Sequence, residues 1–242
     1  MVFISRTTRA RIMLVLSLVV VCAMARACVG VLSARYVAGM LKPVSRVETR
    51  QNIVALTFDL TFGESSVVEI LDVLREQGVR CTFFVAGPWA AAHPDLVRRI
   101  VDESHELGSQ GYWHENLTSS ATDRIFESIT RADDILKRTA GIEPSLFRPP
   151  NGDYDDRVIR LALELGYTTV TWSLDSFDWR STNEEYLRKR VVGKVQDGDI
   201  VRLHASDLSG QTSRALGPIL HELSKKGVQV VTVGELLRIS QE

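Results

Sequence analysis

The sequence predicts an α/β protein built on a parallel sheet, and three observations favour this class. Short apolar runs of strand length recur along the body of the chain. They alternate with longer stretches whose apolar residues fall at helical spacing, and several of these stretches end at a glycine. Polar or titratable residues follow five of the apolar runs. Strands that alternate with helices form a parallel sheet covered by helices.

Seven strands and seven helices are expected from these patterns. The strands are apolar runs bounded by polar or turn residues, at 53–58, 81–85, 106–109, 145–148, 168–174, 200–204 and 228–233. The first helix has Val67, Ile70, Leu71 and Leu74 on one face and ends at Gly78. This first helix is expected at 66–77, and the others are expected at 94–103, 123–139, 157–165, 184–194 and 213–226, with a short one after 233. This alternation fits either a doubly wound sheet or a barrel of fewer than eight strands.

The composition fits one globular domain without affinity for nucleic acid. Of the 242 residues, 45% are hydrophobic, which is enough to form a core. The 29 basic and 30 acidic residues give a net charge of −1 and form no long charged block, so nucleic acid is not an expected partner. Cys81 is the one cysteine of the body, and we expect it to be a buried thiol.

Residues 1–35 have the pattern of a signal peptide or a single-pass membrane anchor. Arg6, Arg9 and Arg11 precede a charge-free apolar stretch at 12–25. A small-residue cleavage motif ends that stretch, but apolar character continues past Arg26 to Ala34, as an anchor would require. Both alternatives place the body on the extracytoplasmic side, either secreted or held at the membrane. Residues 36–52 are expected to be a linker, and 53–242 a single domain.

Five of the predicted strands are followed by polar residues at the end where parallel sheets carry their functional groups. These residues are Asp59 after the first strand, Gln110 and His114 after the third, RPPNG (148–152) after the fourth, DSFDW (175–179) after the fifth and His204 at the end of the sixth. A lone aspartate at such a position is usually structural. Five polar positions that converge on one end of a sheet indicate a functional site.

The same segments resemble the ordered motifs of the polysaccharide deacetylase family, the NodB-homology domain. The family's motifs run TFDD, H-x-x-x-H, R-x-P-x-G, D-x-x-D-W and L-x-H. This chain has TFDL, Q-x-x-x-H, RPPNG, DSFDW and LH preceded by VR. The resemblance covers residues 53–237 and implies a distorted (β/α) barrel of about seven parallel strands. The loop TFDLTFGE, with an apolar residue after its aspartate, is most similar to the sporulation-type branch.

The resemblance implies four catalytic groups. Asp59 would be the general base that activates water, and His204 the general acid that protonates the leaving amine. Asp178 would orient His204 and raise its pKa, and Arg148 would pair with Asp59 and keep it ionised.

The resemblance also implies residues that bind substrate. Trp179 and Leu203 would be apolar walls of the acetyl pocket, and Pro150 would shape the loop that carries Arg148. Tyr112 is either a wall of a sugar groove or a half-buried loop aromatic.

The metal site is where this chain departs from the family pattern. The resemblance implies a divalent metal such as zinc, held by the second aspartate of TFDD and both histidines of H-x-x-x-H. Leu60 and Gln110 replace two of these ligands, so His114 is the residual one. Leucine cannot ligate a metal and glutamine is a weak ligand. The carboxylates that could substitute from strand-end loops are Glu64, Glu115 and Asp207. No organic cofactor is expected.

Three functions stay open on this pattern. The first is an enzyme that removes N-acetyl groups from a cell-wall or related polysaccharide such as peptidoglycan. The second is a catalytically inactive protein of the same fold that binds glycans or serves sporulation or cell-wall morphogenesis. The third is a metal-independent hydrolase that uses the acid and base alone.

Overall fold

The computed structural model describes residues 41–180 and 183–239, and its compact body begins at Lys42. The segment expected to be a signal or anchor, 1–35, lies outside the described residues. Within the described ranges, no helix is long and apolar enough to cross a membrane.

Strands and helices alternate along the described chain, as expected. The strands are β1 (Ile53–Leu60), β2 (Thr82–Val85), β3 (Glu106–Ser109), β4 (Leu146–Phe147), β5 (Thr168–Thr169), β6 (Leu174–Asp175), β7 (Ile200–His204) and β8 (Gln229–Val231). The helices are α1 (Ser65–Gln77), α2 (Gly87–Ala92), α3 (Pro94–Asp102), α4 (Thr122–Ala140), α5 (Asp156–Glu164), α6 (Glu184–Lys194), α7 (Gln211–Lys225) and α8 (Val233–Ile239). The helix α2 was not expected, because six residues are too few to show helical periodicity.

The strands form a parallel sheet that is curled into an incomplete barrel. Their order is β5-β4-β3-β2-β1-β7-β6, and β8 pairs with the first half of β1. The edge strands β5 and β6 are joined by residues 170–173 alone, and five residue steps span at most about 18 Å. The two edges must therefore approach each other. The joining residues bond to the strands next to both edges, since Val170 N donates to Phe147 O of β4 and Ser173 N donates to Ile200 O of β7. The expected distorted barrel is confirmed.

This closure also corrects one prediction. Residues 168–174 were expected to form one strand, but they form β5 and β6 at opposite edges of the sheet. The apolar run reads as continuous because both of its ends are strand residues, while its middle crosses the gap in the barrel.

Part of the stretch expected to be a linker packs against the barrel. Val44 forms a parallel bridge to Val170, and Arg46 forms an antiparallel bridge to Asp199. The Arg46 Nε also donates to Asp199 Oδ1 at 2.7 Å, and Val47 is buried. From Lys42 onward these residues belong to the same compact body as the barrel.

Side chains of β1 alternate between two environments. Leu56, Phe58 and Leu60 join the main hydrophobic core, which contains the buried face of α1. Burying each such side chain contributes about 1.5–3 kcal/mol to folding. Thr57 and Asp59 point to the opposite face, as the two-residue period of a strand requires. The first polar residue of the site is therefore held by a strand anchored in the core.

Candidate active site

The register between β1 and β7 brings two pairs of polar side chains to one face of the sheet. Thr57 lies opposite Arg202, and Asp59 lies opposite His204. Residues two apart on a strand share a face, so these four side chains point the same way. Asp59 and His204 are the last or nearly the last residues of their strands, at the end where functional groups were expected.

Arg148 follows β4 and holds Asp59 from within the barrel. The guanidinium is fully buried, and Nη1 donates to both Asp59 Oδ1 and Thr57 Oγ1 at 2.8 Å. Nη2 donates to the Thr171 carbonyl at 3.1 Å, and the guanidinium carbon lies 3.9 Å from the centre of the Phe84 ring. A buried charge is tolerated only when it is paired and hydrogen-bonded. The expected pair between Arg148 and Asp59 is present.

The surroundings of Asp59 keep its carboxyl ionised. Burial raises the pKa, but the charges of Arg148, His204 and Arg202 outweigh it and hold the pKa of Asp59 below its ordinary value. A carboxylate stabilised in this way can accept a proton, but it is a weaker base than a free aspartate.

Asp178 holds His204 through two hydrogen bonds and is itself held by Thr212. Oδ1 lies 2.6 Å from His204 Nδ1, and Oδ2 accepts from the His204 backbone N–H at 2.7 Å and from Thr212 Oγ1 at 2.8 Å. Asp178 is fully buried, and the preceding Phe177 has a φ of 56°. A left-handed conformation at a phenylalanine costs about 1–2 kcal/mol. Backbone strain of this kind is concentrated at functional sites.

The pKa of His204 reflects two opposing influences. Burial disfavours the imidazolium, but the hydrogen bond and charge of Asp178, together with Asp59, outweigh burial and raise the pKa. Arg202 opposes the rise, because its Nη2 lies 3.1 Å from His204 Nε2. A guanidinium only donates, so this contact requires an unprotonated Nε2. A proton on Nε2 and the contact with Arg202 therefore exclude each other.

Arg202 is the functional-site residue that the sequence analysis missed. Its Nε lies 3.4 Å from Asp59 Oδ2, and its guanidinium carbon lies 4.1 Å from the centre of the Trp172 ring. In the family pattern L-x-H, the leucine stands two residues before the histidine, and that position here is 202. The signal was available in the strand period, since 202 and 204 share a face and 203 does not.

The side chains converge on a pocket of about 170 Å³ at the end of the strands. The residues that line it are Asp59, Thr61, Phe62, Gln110, His114, Asn151, Trp179, Arg202, His204, Ser206, Leu208 and Ser209. Three apolar members are unusually accessible, with exposed fractions of 58% for Phe62, 48% for Trp179 and 82% for Leu208. Apolar and aromatic side chains around a polar floor suit the flat, partly apolar face of a sugar ring.

Of the four residues expected to bind substrate, one lies at the pocket. Trp179 lines the pocket, whereas the Leu203 side chain is fully buried in the main hydrophobic core. The prediction for Leu203 is wrong because it lies on the opposite face of β7 from Arg202 and His204. Pro150 is buried in the turn after Arg148 and does not line the pocket. Tyr112 packs beneath Arg131, 3.9 Å from the guanidinium carbon, and is also absent from the lining.

The donors at the family's metal position do not fit a divalent metal. Leu60 belongs to the core, and Gln110 uses its Oε1 to accept from Thr61 Oγ1 at 2.7 Å. His114 lines the pocket, where loss of solvent lowers its pKa. In the part of the chain that the structure describes, no group of three histidine, cysteine or acidic side chains could hold a metal. The guanidinium of Arg202, which is a cation, lines the same pocket as Gln110 and His114.

The carboxylates considered as substitute ligands have other partners or positions. Asp207 accepts from the backbone N–H groups of Glu64 and Ser66, at 3.1 and 2.8 Å, and so caps α1. Glu115 accepts from Arg124 Nε at 2.9 Å. The Glu64 side chain is exposed and lies 3.8 Å from His93. Among the described residues, none of the three carboxylates lines the pocket beside His114.

Comparison with known sequences gives relatives over most of the chain. The family model for polysaccharide deacetylase matches residues 46–170. A Bacillus cereus peptidoglycan-N-acetylglucosamine deacetylase is 37% identical over 196 residues, which cover 79% of this chain and 91% of the relative. The Bacillus subtilis protein YlxY is 28% identical over 196 residues, which cover 81% of this chain. The chain spans only 60% of the length of YlxY.

Comparison with solved structures gives the same barrel. A Bacillus anthracis protein described as a CE4 family pseudoenzyme superposes with a TM-score of 0.78 at 27% identity, over 82% of this chain and 69% of its own. A mutant of that protein is described as having restored enzymatic activity, and it also superposes with a TM-score of 0.78, at 28% identity, over 82% of this chain and 72% of its own. From the matched family model, the shared barrel and the strand-end residues, the chain belongs to the polysaccharide deacetylase family.

Proposed function

We propose that this chain removes N-acetyl groups from a cell-wall or related polysaccharide, such as peptidoglycan, without a resident divalent metal. The observation that carries the proposal is that two oriented pairs meet at one pocket. Asp59 is held by Arg148 at 2.8 Å, and His204 is held by Asp178 at 2.6 Å. Asp59 and His204 lie opposite each other in adjacent strands. A relative that is a peptidoglycan-N-acetylglucosamine deacetylase supports this choice of substrate class.

The chemistry assigns one proton transfer to each pair. Asp59 takes a proton from water as the water oxygen bonds to the carbonyl carbon of the acetamide. The tetrahedral intermediate then collapses, the carbon–nitrogen bond breaks, and the amine nitrogen takes the proton from His204 Nε2. Asp59 then passes its proton to His204, which restores both groups, and the acetic acid released gives its proton to the amine, so that one amide and one water give acetate and a protonated amine. Asp178 stabilises the imidazolium form of His204, which these proton transfers require.

The proposal includes a location outside the cytoplasm. Residues 1–35 carry the charge and hydropathy pattern of an export signal or anchor, and we propose that they place the barrel beside the cell wall. The likeness of the TFDLTFGE loop to the sporulation-type branch suggests a spore or cell-wall setting. Fractionation of cells that express the full chain tests this: barrel found in the cytoplasm would contradict the proposed location.

Release of acetate from N-acetylated glycans tests the activity. The substrates are peptidoglycan and N-acetylglucosamine oligomers, and the enzyme is the full chain. Asp59→Asn and His204→Ala should each slow release by about 10²–10⁴-fold, the usual contribution of a general base or acid. Asp95→Asn and His221→Ala are matched controls, because both residues are exposed and neither lines the pocket. Release that is equal in all four variants would contradict the proposal.

A second function is favoured by the donor set described above. Leu60, Gln110 and Arg202 remove the family's metal chemistry, and a solved structure with the same barrel is that of a pseudoenzyme. Under this alternative the pocket binds an N-acetylated glycan and leaves it intact. Glycan binding with no acetate released by the full chain would select this alternative.

A further inference from the structure

The guanidinium of Arg202 lies at the centre of the pocket floor. Its Nε faces Asp59 Oδ2 at 3.4 Å, its Nη2 faces His204 Nε2 at 3.1 Å, and its Nη1 lies 3.8 Å from Asp175 Oδ2. The ring of Trp172 supports one face of the group, with its centre 4.1 Å from the guanidinium carbon. The group is thus held in a fixed orientation between the proposed base and the proposed acid.

Arg202 has donors to spare in this position. A guanidinium has five N–H donors. Within the described residues, its Nε is buried and makes no hydrogen bond, and its one hydrogen bond goes to the imidazole of His204. Among the described residues, the remaining N–H groups on Nη1 and Nη2 have no hydrogen-bond acceptor, and Arg202 lines the pocket, so an acceptor atom that enters the pocket would be stabilised by them.

The charges around Arg202 select a neutral acceptor over an anion. Asp59 and Asp175 both face the guanidinium, and together with Arg148, which also pairs with Asp59, they leave this group of four charges without a net charge. A carboxylate or phosphate would also meet the two carboxylates at short range and be repelled. A carbonyl oxygen is a strong acceptor without a net charge, and it would meet no such repulsion.

We propose that Arg202 receives the carbonyl oxygen of the bound N-acetyl group and supplies the positive charge that a metal ion supplies elsewhere in the family. This inference rests on the proposed function, since it takes an N-acetylated glycan as the ligand. Hydrogen bonds from a cation polarise the carbonyl and stabilise the oxyanion that forms when water attacks. The contact between Arg202 and His204 Nε2 is replaced by the ligand, which leaves Nε2 free to carry the proton for the leaving amine.

A spectroscopic measurement tests the contact directly. The probe is an N-acetylglucosamine tetramer with ¹³C at each acetyl carbonyl, bound to the full chain and observed by NMR. In the wild type we expect a downfield shift of the carbonyl resonance on binding, and an affinity at least about 10-fold above that for the de-N-acetylated tetramer. Arg202→Gln should lose both the shift and the preference. Arg202→Lys keeps a charge but not the planar donor group, and should retain part of each.

The control and the contrary outcomes are defined by the same experiment. Arg98→Gln removes an exposed arginine that pairs with Asp95 on α3, and it should behave as the wild type. A shift and preference that persist in Arg202→Gln would overturn the proposal, and so would a wild-type chain that does not bind the tetramer. If Arg202→Gln does not fold, a carbonyl shift in folded Arg202→Lys that is smaller than the wild-type shift supports the contact, and a shift equal to the wild-type one overturns it. Acetate has its own resonance, so failure of hydrolysis alone is seen separately and contradicts only the proposed activity.

Discussion

Two arginines share one carboxylate in the interior of this barrel. Arg148 is fully buried and hydrogen-bonded to Asp59, whereas Arg202 lines the pocket and reaches the other oxygen of Asp59 from β7. We therefore propose that the first arginine positions Asp59 and that the second faces the ligand. The aromatic rings of Phe84 and Trp172 support the two guanidinium groups. Cation–π contacts of this kind gain strength when they are removed from solvent.

Loss of Arg148 tests its positioning role. Arg148→Met should lower the free energy of unfolding by about 3–5 kcal/mol, because it leaves Asp59 buried and less compensated. The double variant Arg148→Met/Asp59→Leu should recover much of that loss, since no unpaired charge then remains. Urea unfolding of the three proteins measures both values, and equal stability of the single and double variants would contradict this account.

The pair between His204 and Asp178 should make stability depend on pH. The folded pKa of His204 lies above its unfolded value of about 6.5, so the charged pair stabilises the fold fully below about pH 6.5. That contribution is lost as the pH rises through the folded pKa. Asp178→Asn should therefore destabilise the chain more at pH 5.5 than at pH 8.5. Urea midpoints at the two pH values measure the difference, and an equal loss at both would contradict the raised pKa.

At the scale of elements, a segment before the first strand completes the barrel wall. Val44 and Arg46 bridge to residues beside β5 and β7, and Val47 N donates to the Gly198 carbonyl at 2.9 Å. The backbones of Gly198 and Val47 lie so close together that a Cβ on Gly198 would be 1.8 Å from the Val47 carbonyl oxygen. The segment therefore stabilises the loop between α6 and β7, from which Arg202 and His204 follow.

Alanine at two glycines isolates this contact. Gly198 and Gly166 both have a positive φ, of 75° and 86°, but a Cβ at Gly166 would meet nothing within 4 Å. Both alanine variants pay a conformational cost of about 1–2 kcal/mol. In Gly198→Ala the free energy of unfolding should fall by a further ~1–3 kcal/mol, because Val47 must move away from the added Cβ. Thermal unfolding compares them, and equal melting temperatures would show that 42–47 does not pack as described.

For the whole molecule, most of the fold follows from alternation in the sequence. The helices end within two residues of their expected positions, because apolar spacing and terminal glycines define them locally. The closure of the barrel does not follow from this alternation, since the crossing at 170–173 depends on how far the sheet curls. Strand ends revealed Asp59, Arg148, Asp178 and His204. They did not reveal Arg202, because its role depends on which face of β7 it occupies.

The molecule as a whole combines a deacetylase barrel with a pocket whose cation is a side chain. Metal content tests that claim most directly. The full chain and its His114→Ala variant are incubated with zinc, desalted and analysed by elemental mass spectrometry. We expect background zinc in both proteins, since about three protein ligands usually make a catalytic site and the described residues offer no such group. One equivalent in the wild type that is lost in His114→Ala would contradict the account, because His114 would then hold a metal where we place Arg202.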